Sequence, residues 1–428
     1  MARKMKDSGI EWIGEIPEGW EIRKIKNNFM IYAGATPKSE KAEYWDGGIP
    51  WITPADFKTT DKYASCGRKS LTALGYDSCG TTLVPAGSII FSKRAPVGSV
   101  VIAKNALCTN QGCLACIPND AVNSTYFYYC MSIFTEQFEL VSAGTTFKEI
   151  AASTFANFLL PCPPLSQQNE IVNFLDKEIS HVDSMLSQTR SSIEEYKKLK
   201  QAVITQAVTK GVRGEREMKD SGVDWIGEIP KEWVCEKIKY ATSISRGLFN
   251  HRPRNDERYY NGKYPFIQTG DVANATKYIV SYSQTLNELG KSVSKEFPKG
   301  TLTMTIAANV GDVAMLNFDA YFPDSVVGFV PNKNIRTLYL FYVFSAMKDE
   351  FIRTAIKSTQ LNLNIDRVKE TFIPVTLNVN EQCEIENYLE SKCAEIDGLI
   401  AKKEQLVKEL ESYKKSLIYE VVTGKREV

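Results

Sequence analysis

Three closely spaced cysteines are the residues of this chain best suited to metal or redox chemistry. Cys113 and Cys116 are separated by two residues, and Cys108 precedes them. A zinc site normally needs a second cysteine pair or a histidine pair at a fixed spacing, and the chain has 2 histidines in all. Because the run around these cysteines is apolar and strand-like, we predict buried structural thiols and no metal site.

A Gly-Lys-Ser sequence at Gly290–Ser292 comes nearest to a phosphate-binding loop. Such a loop requires another glycine five residues earlier, and Thr285 occupies that position. A glycine-rich dinucleotide fingerprint and an Asn-Pro-Pro-Tyr methyltransferase motif are also missing from the sequence. We therefore expect no catalytic residues and no cofactor bound by this chain.

The elements that position any functional residue occur twice. The segment Met5–Trp20 returns as Met218–Trp233, with Trp-Ile-Gly-Glu-Ile-Pro in both copies, at an offset of 213 in a chain of 428 residues. Further along, Gln168-Asn-Glu-Ile returns as Gln382-Cys-Glu-Ile at an offset of 214. Agreement of this length indicates a tandem duplication. A duplicated chain is suited to a target that itself has two halves.

Each half is predicted to end in a long helix. Apolar residues follow one another at spacings of three and four from Leu175 and again from Leu389, and neither proline nor glycine interrupts the stretch from Gln167 to Thr209. An apolar seam of this period requires a second helix along its length. The blocks before the helices, at about 20–165 and 233–378, contain short β-rich runs separated by glycine and proline, as in Ser88–Ser92. These blocks are predicted to be globular α+β domains.

Composition restricts the class of protein. The chain has 52 basic and 51 acidic residues, a net charge of +1, so any binding of nucleic acid must rely on local patches and on a partner. Charged residues make up 24% and hydrophobic residues 43%, which is typical of an ordinary globular protein. We expect no secretion signal, because the charged start is not followed by an apolar core. We expect no membrane span, because no long apolar run occurs. The scattered cysteines are then those of a cytoplasmic protein.

In this arrangement the chain resembles the specificity subunits of type I restriction-modification systems. The resemblance covers essentially the whole chain. It is carried by Trp-Ile-Gly-Glu-Ile-Pro followed by Trp20 or Trp233, Pro50-Trp-Ile52, Pro85-Ala-Gly87, Phe322–Phe329, the Gln-Asn-Glu-Ile helix start, and Val-Thr-Gly-Lys425. It implies an α+β fold of two similar target recognition domains joined by two long helices that pack as an antiparallel coiled coil, with an internal pseudo-twofold repeat. The expected segments are a first recognition domain at 1–165, a helical spacer at 166–212, a second recognition domain at 213–378 and a second spacer at 379–428.

The resemblance also implies a function and partners. Such a subunit binds double-stranded DNA at an asymmetric bipartite site, one half for each domain. It docks two methyltransferase (modification) subunits and the restriction (nuclease and translocase) subunits. S-adenosylmethionine, ATP and magnesium are then expected on the partners, and adenine methylation or cleavage is theirs. The alternative is a coiled-coil adaptor that assembles protein partners without reading bases.

Candidate DNA contacts are polar and basic residues in loops of the two globular blocks. Arginine and lysine suit guanine or phosphate, and asparagine and glutamine suit adenine. In the first domain the candidates are Thr36, Lys38, Ser92, Lys93, Arg94, Asn110, Gln111, Thr145, Thr146 and Lys148. In the second domain they are Arg246, His251, Arg252, Arg254, Asn309, Gln360, Asn362 and Asn364. For each residue taken singly, an ordinary solvated loop position is the competing interpretation.

Two departures from the repeat refine these expectations. Ala307 and Ala308 replace the region of Lys93 and Arg94, so the second domain is expected to read its half-site differently. The tryptophans of the repeated segment occur in both copies and therefore cannot encode two different specificities. We predict that they are core or docking residues.

Overall fold

The computed structural model describes residues 3–57, 61–144, 148–252, 254–354, 356–357 and 361–428. The chain divides into two compact units. Unit 1 comprises Met1–Arg190 together with Gln405–Val428, and unit 2 comprises Ser191–Glu404. Each unit therefore contains one globular block and a part of both long helices.

Unit 1 is built from short strands and helices that precede the first long helix. Its strands are β1 (Met5–Asp7), β2 (Glu15–Pro17), β3 (Glu21–Lys24), β4 (Phe29–Ala33), β5 (Trp45–Ile52), β6 (Tyr63–Ala64), β7 (Lys69–Leu71), β8 (Ile89–Ser92), β9 (Val100–Ala103), β10 (Cys108–Thr109), β11 (Cys113–Pro118) and β12 (Leu159–Cys162). Its helices are α1 (Ile25–Asn28), α2 (Ala73–Asp77), α3 (Ser124–Ile133), α4 (Thr135–Leu140), α5 (Ala152–Ala156) and the start of α6 (Leu165–Lys210). Short 3-10 turns occur at Ala42–Tyr44 and Pro54–Asp56.

The main sheet of unit 1 has the strand order β4-β11-β8-β9-β6. Strand β11 runs antiparallel to β4 and β8, whereas β6 and β9 are parallel. Both faces of the central strands are covered: Phe91 and Leu114 face the core shared with the helices, and Ile90 and Ala115 face a second apolar cluster. Strands buried on both faces are largely apolar, which explains the continuous apolar run Ile89–Phe91. Smaller sheets pair β10-β5-β7, β12-β3 and β1-β2.

Unit 2 repeats this plan. Its strands are β13 (Met218–Asp220), β14 (Glu228–Pro230), β15 (Val234–Lys237), β16 (Thr242–Arg246), β17 (Tyr260–Phe266), β18 (Tyr278–Ile279), β19 (Gln284–Leu286), β20 (Glu296–Phe297), β21 (Leu302–Thr305), β22 (Val313–Leu316), β23 (Ala320–Tyr321), β24 (Val326–Pro331), β25 (Ile356–Lys357), β26 (Leu361–Asn362) and β27 (Phe372–Val375). Its helices are α7 (Ile238–Ala241), α8 (Thr269–Asn274), α9 (Glu288–Ser292), α10 (Thr337–Ala346), α11 (Lys348–Thr354), α12 (Ile365–Glu370) and α13 (Val379–Val422), with a 3-10 turn at Glu257–Tyr259.

The main sheet of unit 2, β16-β24-β21-β22-β18, has the same order as its counterpart. Each of its strands lies 213 or 215 residues after the equivalent strand of unit 1. A further sheet has the order β19-β17-β23-β20, and the pairs β15-β27, β13-β14 and β25-β26 complete the unit. The predicted duplication of an α+β fold is confirmed.

The two predicted long helices form as α6, of 46 residues, and α13, of 44 residues. In unit 1, Lys414 Nζ lies 2.6 Å from Asp183 Oδ1; in unit 2, Lys200 Nζ lies 2.6 Å from Asp397 Oδ2. In each pair the two residue numbers add up to 597. An equal sum is what antiparallel helices in one constant register require. Within the described ranges, no helix carries the apolar stretch that crossing a bilayer would demand.

The repeated tryptophans fasten each globular block to the start of a long helix. Trp20 and Trp233 are 1% and 0% exposed. The Nε1 of Trp20 donates to Gln167 Oε1 over 2.7 Å, and that of Trp233 donates to Glu381 Oε2 over 3.1 Å. The prediction that these residues belong to the core is confirmed for this pair. Trp12 is half-buried and packs on Phe134 and Phe158.

The glutamine of the repeated helix start is buried for a related reason. Gln168 and Gln382 are both 0% exposed. The Oε1 of Gln168 accepts the N–H of Asn123 over 2.8 Å, and that of Gln382 accepts the N–H of Arg336 over 2.8 Å. Their Nε2 groups donate to backbone carbonyls just before the helix. Because a buried polar group is stable only when it is hydrogen-bonded, these contacts fix how each helix leaves its block.

Candidate nucleic-acid interface

Most of the predicted contact residues of unit 1 meet at one edge of its main sheet. Strand pairing places Ala33 beside Leu114 and Ser92 beside Cys113, so β4 and β8 end where β11 begins. The loops at this edge are joined by backbone hydrogen bonds, for example from Lys93 N–H to the carbonyl of Gly112 over 2.9 Å. We call segments 34–38, 93–99, 109–112, 142–144 and 148–150 the loop edge of unit 1.

The first part of this loop edge carries uncharged polar groups and one lysine. The Thr36 hydroxyl donates to Gln111 Oε1, and Asn110 Oδ1 accepts the N–H of Gly112 over 2.9 Å. Gln111 and Lys38 are exposed, whereas Thr36 and Asn110 are half-buried. A glutamine amide held by a threonine hydroxyl is a suitable group for reading a base edge.

The second part is basic but held by a carboxylate. Glu149 Oε1 lies 2.8 Å from Lys93 Nζ, and Glu149 Oε2 lies 2.9 Å from Arg94 Nε. The hydrogen bond from Lys93, with a smaller one from Arg94, lowers the pKa of Glu149 despite partial desolvation. Both cations are therefore pre-positioned on the loop, and one of their charges is neutralised.

The remaining candidates of unit 1 differ in their accessibility. Ser92 is 0% exposed, and its hydroxyl donates to the Arg94 carbonyl over 2.7 Å, so in this conformation it supports the loop and does not face solvent. Lys148 is exposed, with its Nζ 3.9 Å from Glu139 Oε2. Thr145 and Thr146 lie outside the described residues.

Unit 2 has a loop edge at the equivalent end of its sheet. Arg246 at the end of β16 pairs with Val327, and Thr305 at the end of β21 pairs with Val326. Equivalent backbone hydrogen bonds join the loops at both edges. In unit 2 the N–H of Leu363 donates to the Ile306 carbonyl over 2.8 Å, and in unit 1 the N–H of Ile150 donates to the Lys93 carbonyl over 3.0 Å. We call segments 246–252, 254–256, 306–312, 323–325 and 362–364 the loop edge of unit 2.

Arginines dominate this second edge, and Asp324 organises them. Arg254 contacts Asp324 Oδ1, Arg252 Nη2 lies 3.7 Å from Asp324 Oδ2, and Arg246 Nε donates to the Asp324 carbonyl over 2.5 Å. Asp324 stands at the position of Gln111, 213 residues earlier. The same site of the fold therefore carries an amide in unit 1 and a carboxylate that holds arginines in unit 2.

His251 is fixed in this edge by two neighbours. Its ring stacks on Tyr259 at 3.9 Å between centroids, and its Nε2 lies 3.0 Å from Asp256 Oδ2. The pKa of Asp256 is lowered, chiefly by the hydrogen bond from Arg258. These contacts hold the His251 ring next to the arginines of the loop.

The asparagine candidates of unit 2 divide by role. Asn309 and Asn362 are exposed on the edge, and Asn362 forms a backbone bridge to Ala307. Asn364 is also exposed, but its Oδ1 caps α12 by accepting the N–H of Asp366 over 2.7 Å. Gln360 lies outside the described residues.

The structure refines the expected exchange between the two edges. The matching backbone bonds align Lys93 with Ile306 and Arg94 with Ala307, one position earlier than the alanine pair named from the sequence. The sequence analysis named basic and uncharged polar side chains as DNA contacts. It missed the carboxylates of Glu149 and Asp324, which position the basic side chains. The signal for these two was positional, because Glu149 closes the strand bridge to Arg94 and Asp324 is the counterpart of Gln111.

The cysteine pair does not form a common site. Cys113 and Cys116 are buried on β11, and side chains three positions apart on a strand face opposite sides. They accordingly belong to different apolar clusters. Burial raises the pKa of both thiols, and raises that of Cys108 to about 11. The interpretation as buried thiols is confirmed; among the described residues, no group of His, Cys, Asp and Glu is arranged to hold a metal ion.

Comparison with known proteins decides the family. The family model for the type I restriction modification DNA specificity domain matches residues 17–195 and 244–409, most of the chain. The chain belongs to this family. The resemblance stated from the sequence is thereby confirmed.

Individual members of the family are similar over different lengths. The type I restriction enzyme MjaIX specificity subunit of Methanocaldococcus jannaschii is 31% identical over 65% of this chain and 63% of its own length. The MjaVIII specificity subunit of the same organism is 22% identical over 96% of this chain and 93% of its own. A chain in a solved structure on complex assembly and conformational transition of the type I R-M system superposes with a TM-score of 0.76 at 14% identity, covering 96% of this chain and 99% of that one. This last likeness supports the shared fold.

Proposed function

We propose that this protein is the DNA sequence-recognition subunit of a type I restriction-modification complex. Unit 1 reads one half of an asymmetric bipartite site through its loop edge, and unit 2 reads the other half. The long helices α6 and α13 set the number of unread base pairs between the two halves.

One observation carries this proposal. The two units share strand order and backbone closure, yet the groups they present at the equivalent edge differ in kind. Unit 1 offers Gln111 with Thr36, together with Lys93 and Arg94. Unit 2 offers arginines gathered around Asp324. Amide groups suit adenine and arginine suits guanine, so the two edges are fitted to different bases.

Catalysis is assigned to other subunits. We place methyl transfer from S-adenosylmethionine on two modification subunits docked by this chain, and ATP- and magnesium-dependent translocation and cleavage on restriction subunits. Methylation of an adenine requires that the base leave the stack, and the recognition subunit contributes by positioning the modification subunit over it. The family membership and the absence of methyltransferase and phosphate-loop motifs from the sequence support this division.

A domain exchange tests the proposal. Residues 20–165 are replaced by the corresponding block of another family member, and the complex with its modification subunits is expressed in a host that lacks the methylation. Single-molecule sequencing should then report a methylated site in which one half has changed and the other half and the spacer are unchanged. The wild-type complex in the same host is the control.

Two outcomes would reject it. A change in both half-sites would contradict the assignment of one half to each unit. Equal protection of cognate and scrambled DNA by the wild-type complex would favour an adaptor that assembles partners without reading bases.

A further inference from the structure

Unit 2 carries basic side chains beyond its loop edge, and direct contacts connect the two groups. The Nζ of Lys295 donates to Ser245 Oγ over 2.9 Å, one residue before Arg246. Phe249 bridges to Ser294, and the N–H of Asn250 donates to the Val293 carbonyl over 3.0 Å. Segment 293–295 therefore runs beside the arginine-bearing loop.

A second contact set extends the positive charge along α9. Lys291 Nζ and Lys263 Nζ lie 4.5 Å and 5.2 Å from the centroid of the Tyr264 ring. The Tyr264 hydroxyl donates to Glu288 Oε1 over 2.8 Å, and Lys263 Nζ lies 3.3 Å from the same oxygen. Two ammonium groups thus lie over one ring, and only that of Lys263 contacts the Glu288 carboxylate, so a further anion would stabilise the arrangement.

The basic strip is the set of cations connected in this way. It consists of Arg246, Arg252, Arg254, Lys263, Lys291 and Lys295. The carboxylates beside it are those of Asp324, Glu288, Glu296 and Asp256, the last of which pairs with Arg258, so positive charge is in excess. In the part of the chain that the structure describes, neither Arg246 nor Lys295 forms an ion pair with a carboxylate.

The lysines at the α9 end of this strip are not repeated at the equivalent positions of unit 1. Tyr76 stands where unit 2 has Lys291, and Thr82 stands where it has Lys295. Lys291 is the lysine of the Gly290–Ser292 sequence, which lacks the glycine of a phosphate-binding loop. It is one of a row of cations that belongs to unit 2 alone.

We propose that the basic strip binds the sugar–phosphate backbone of the half-site assigned to unit 2, beside the bases that the loop edge reads. This inference rests on the proposed function. Lysine acts on phosphate as a point charge and carries no base information. The strip therefore supplies affinity and register, while specificity stays with the loop edge. The DNA affinity of unit 2 is then expected to depend more strongly on salt concentration than that of unit 1.

The test is a salt titration of DNA binding by the complex of the full chain with its modification subunits. The logarithm of the binding constant falls linearly with the logarithm of the salt concentration. Removal of one lysine–phosphate interaction should make this negative slope shallower by about 0.9. For Lys291→Gln combined with Lys295→Gln, we expect a slope smaller by about 1.8, with cognate and scrambled DNA weakened by similar factors. Lys333→Gln is the matched control, because Lys333 is exposed beyond the end of β24 that lies away from the loop edge.

The outcomes separate this inference from the function on which it rests. Lys295→Arg should keep the wild-type slope, and equal melting temperatures would show that the glutamine variant is folded. If the slope of the double variant is unchanged while the wild type still prefers cognate DNA, the strip does not bind phosphate, and the proposed function stands. Loss of modification-subunit assembly with normal DNA binding would also overturn it, in favour of a protein-docking surface. A wild-type complex without any sequence preference would reject the proposed function itself.

Discussion

At the scale of single residues, Glu149 restrains the positive charge of the first loop edge. It holds Lys93 and Arg94 by two short contacts. Replacing it by glutamine keeps the shape and removes the negative charge, which leaves both cations available to phosphate. We expect Glu149→Gln to bind scrambled DNA more tightly and to lower the preference for cognate DNA. The slope of log K against log salt should become steeper by up to about 0.9.

The comparison for this variant is Glu21→Gln. Glu21 is likewise paired with an arginine, Arg23, over 2.7 Å, but it lies on β3, outside the main sheet. Exposed ion pairs of this kind contribute at most about 1 kcal/mol to stability, so both variants should fold. Equal DNA binding by the two variants would show that Glu149 does not restrain the edge.

At the scale of elements, the helices were accessible to sequence reasoning and the edges were accessible only in part. The course of α6 follows from local information, namely the apolar spacing and the absence of proline and glycine. The role of Arg254 does not, because its partner Asp324 is 70 residues away. Likewise, Glu149 meets Arg94 across 55 residues. Such partners are brought together by sheet pairing, which a list of basic residues does not reveal.

The constant register of the helices makes a sharp prediction for the spacer. Residue numbers 191 and 406 also add up to 597, the sum found for the ion pair within each unit. Seven residues inserted after Ser191 and seven after Gln405 should preserve every ion pair of the register and lengthen both helices by about 10 Å. We expect unchanged half-sites and a spacer longer by up to about three base pairs, measured by methylation mapping.

A single insertion provides the control. Seven residues after Ser191 alone would shift α6 against α13 on one side of the insertion, so Asp183–Lys414 and Lys200–Asp397 could not both form. This variant should be less stable or fail to assemble. A paired insertion that folds and methylates with the original spacer would contradict the role of the helices as a ruler.

At the scale of the whole molecule, the parts that repeat are those that join block to helix. Trp20 meets the first turn of α6 as Trp233 meets that of α13, and Gln168 and Gln382 are buried by equivalent bonds. The globular block also contacts each helix in the same way, through Tyr129 and Asp176 in unit 1, and through equivalent residues in unit 2. The repeat therefore predicts the scaffold, whereas the loop edges, which do not repeat, must be seen in the structure.

Interchangeable scaffolds imply interchangeable blocks. Placing a second copy of residues 20–165 in the position of 233–378 keeps compatible partners, because Trp20 would donate to Glu381 as Trp233 does, and Tyr129 and Lys62 would meet Glu390 in place of Asp176. We expect the variant to fold and to methylate a site whose two halves both carry the sequence read by unit 1. The duplication and the antiparallel helix register predict that these halves form an inverted repeat. Methylation mapping decides this: a site that keeps the original second half would show that the residues outside 233–378 read it.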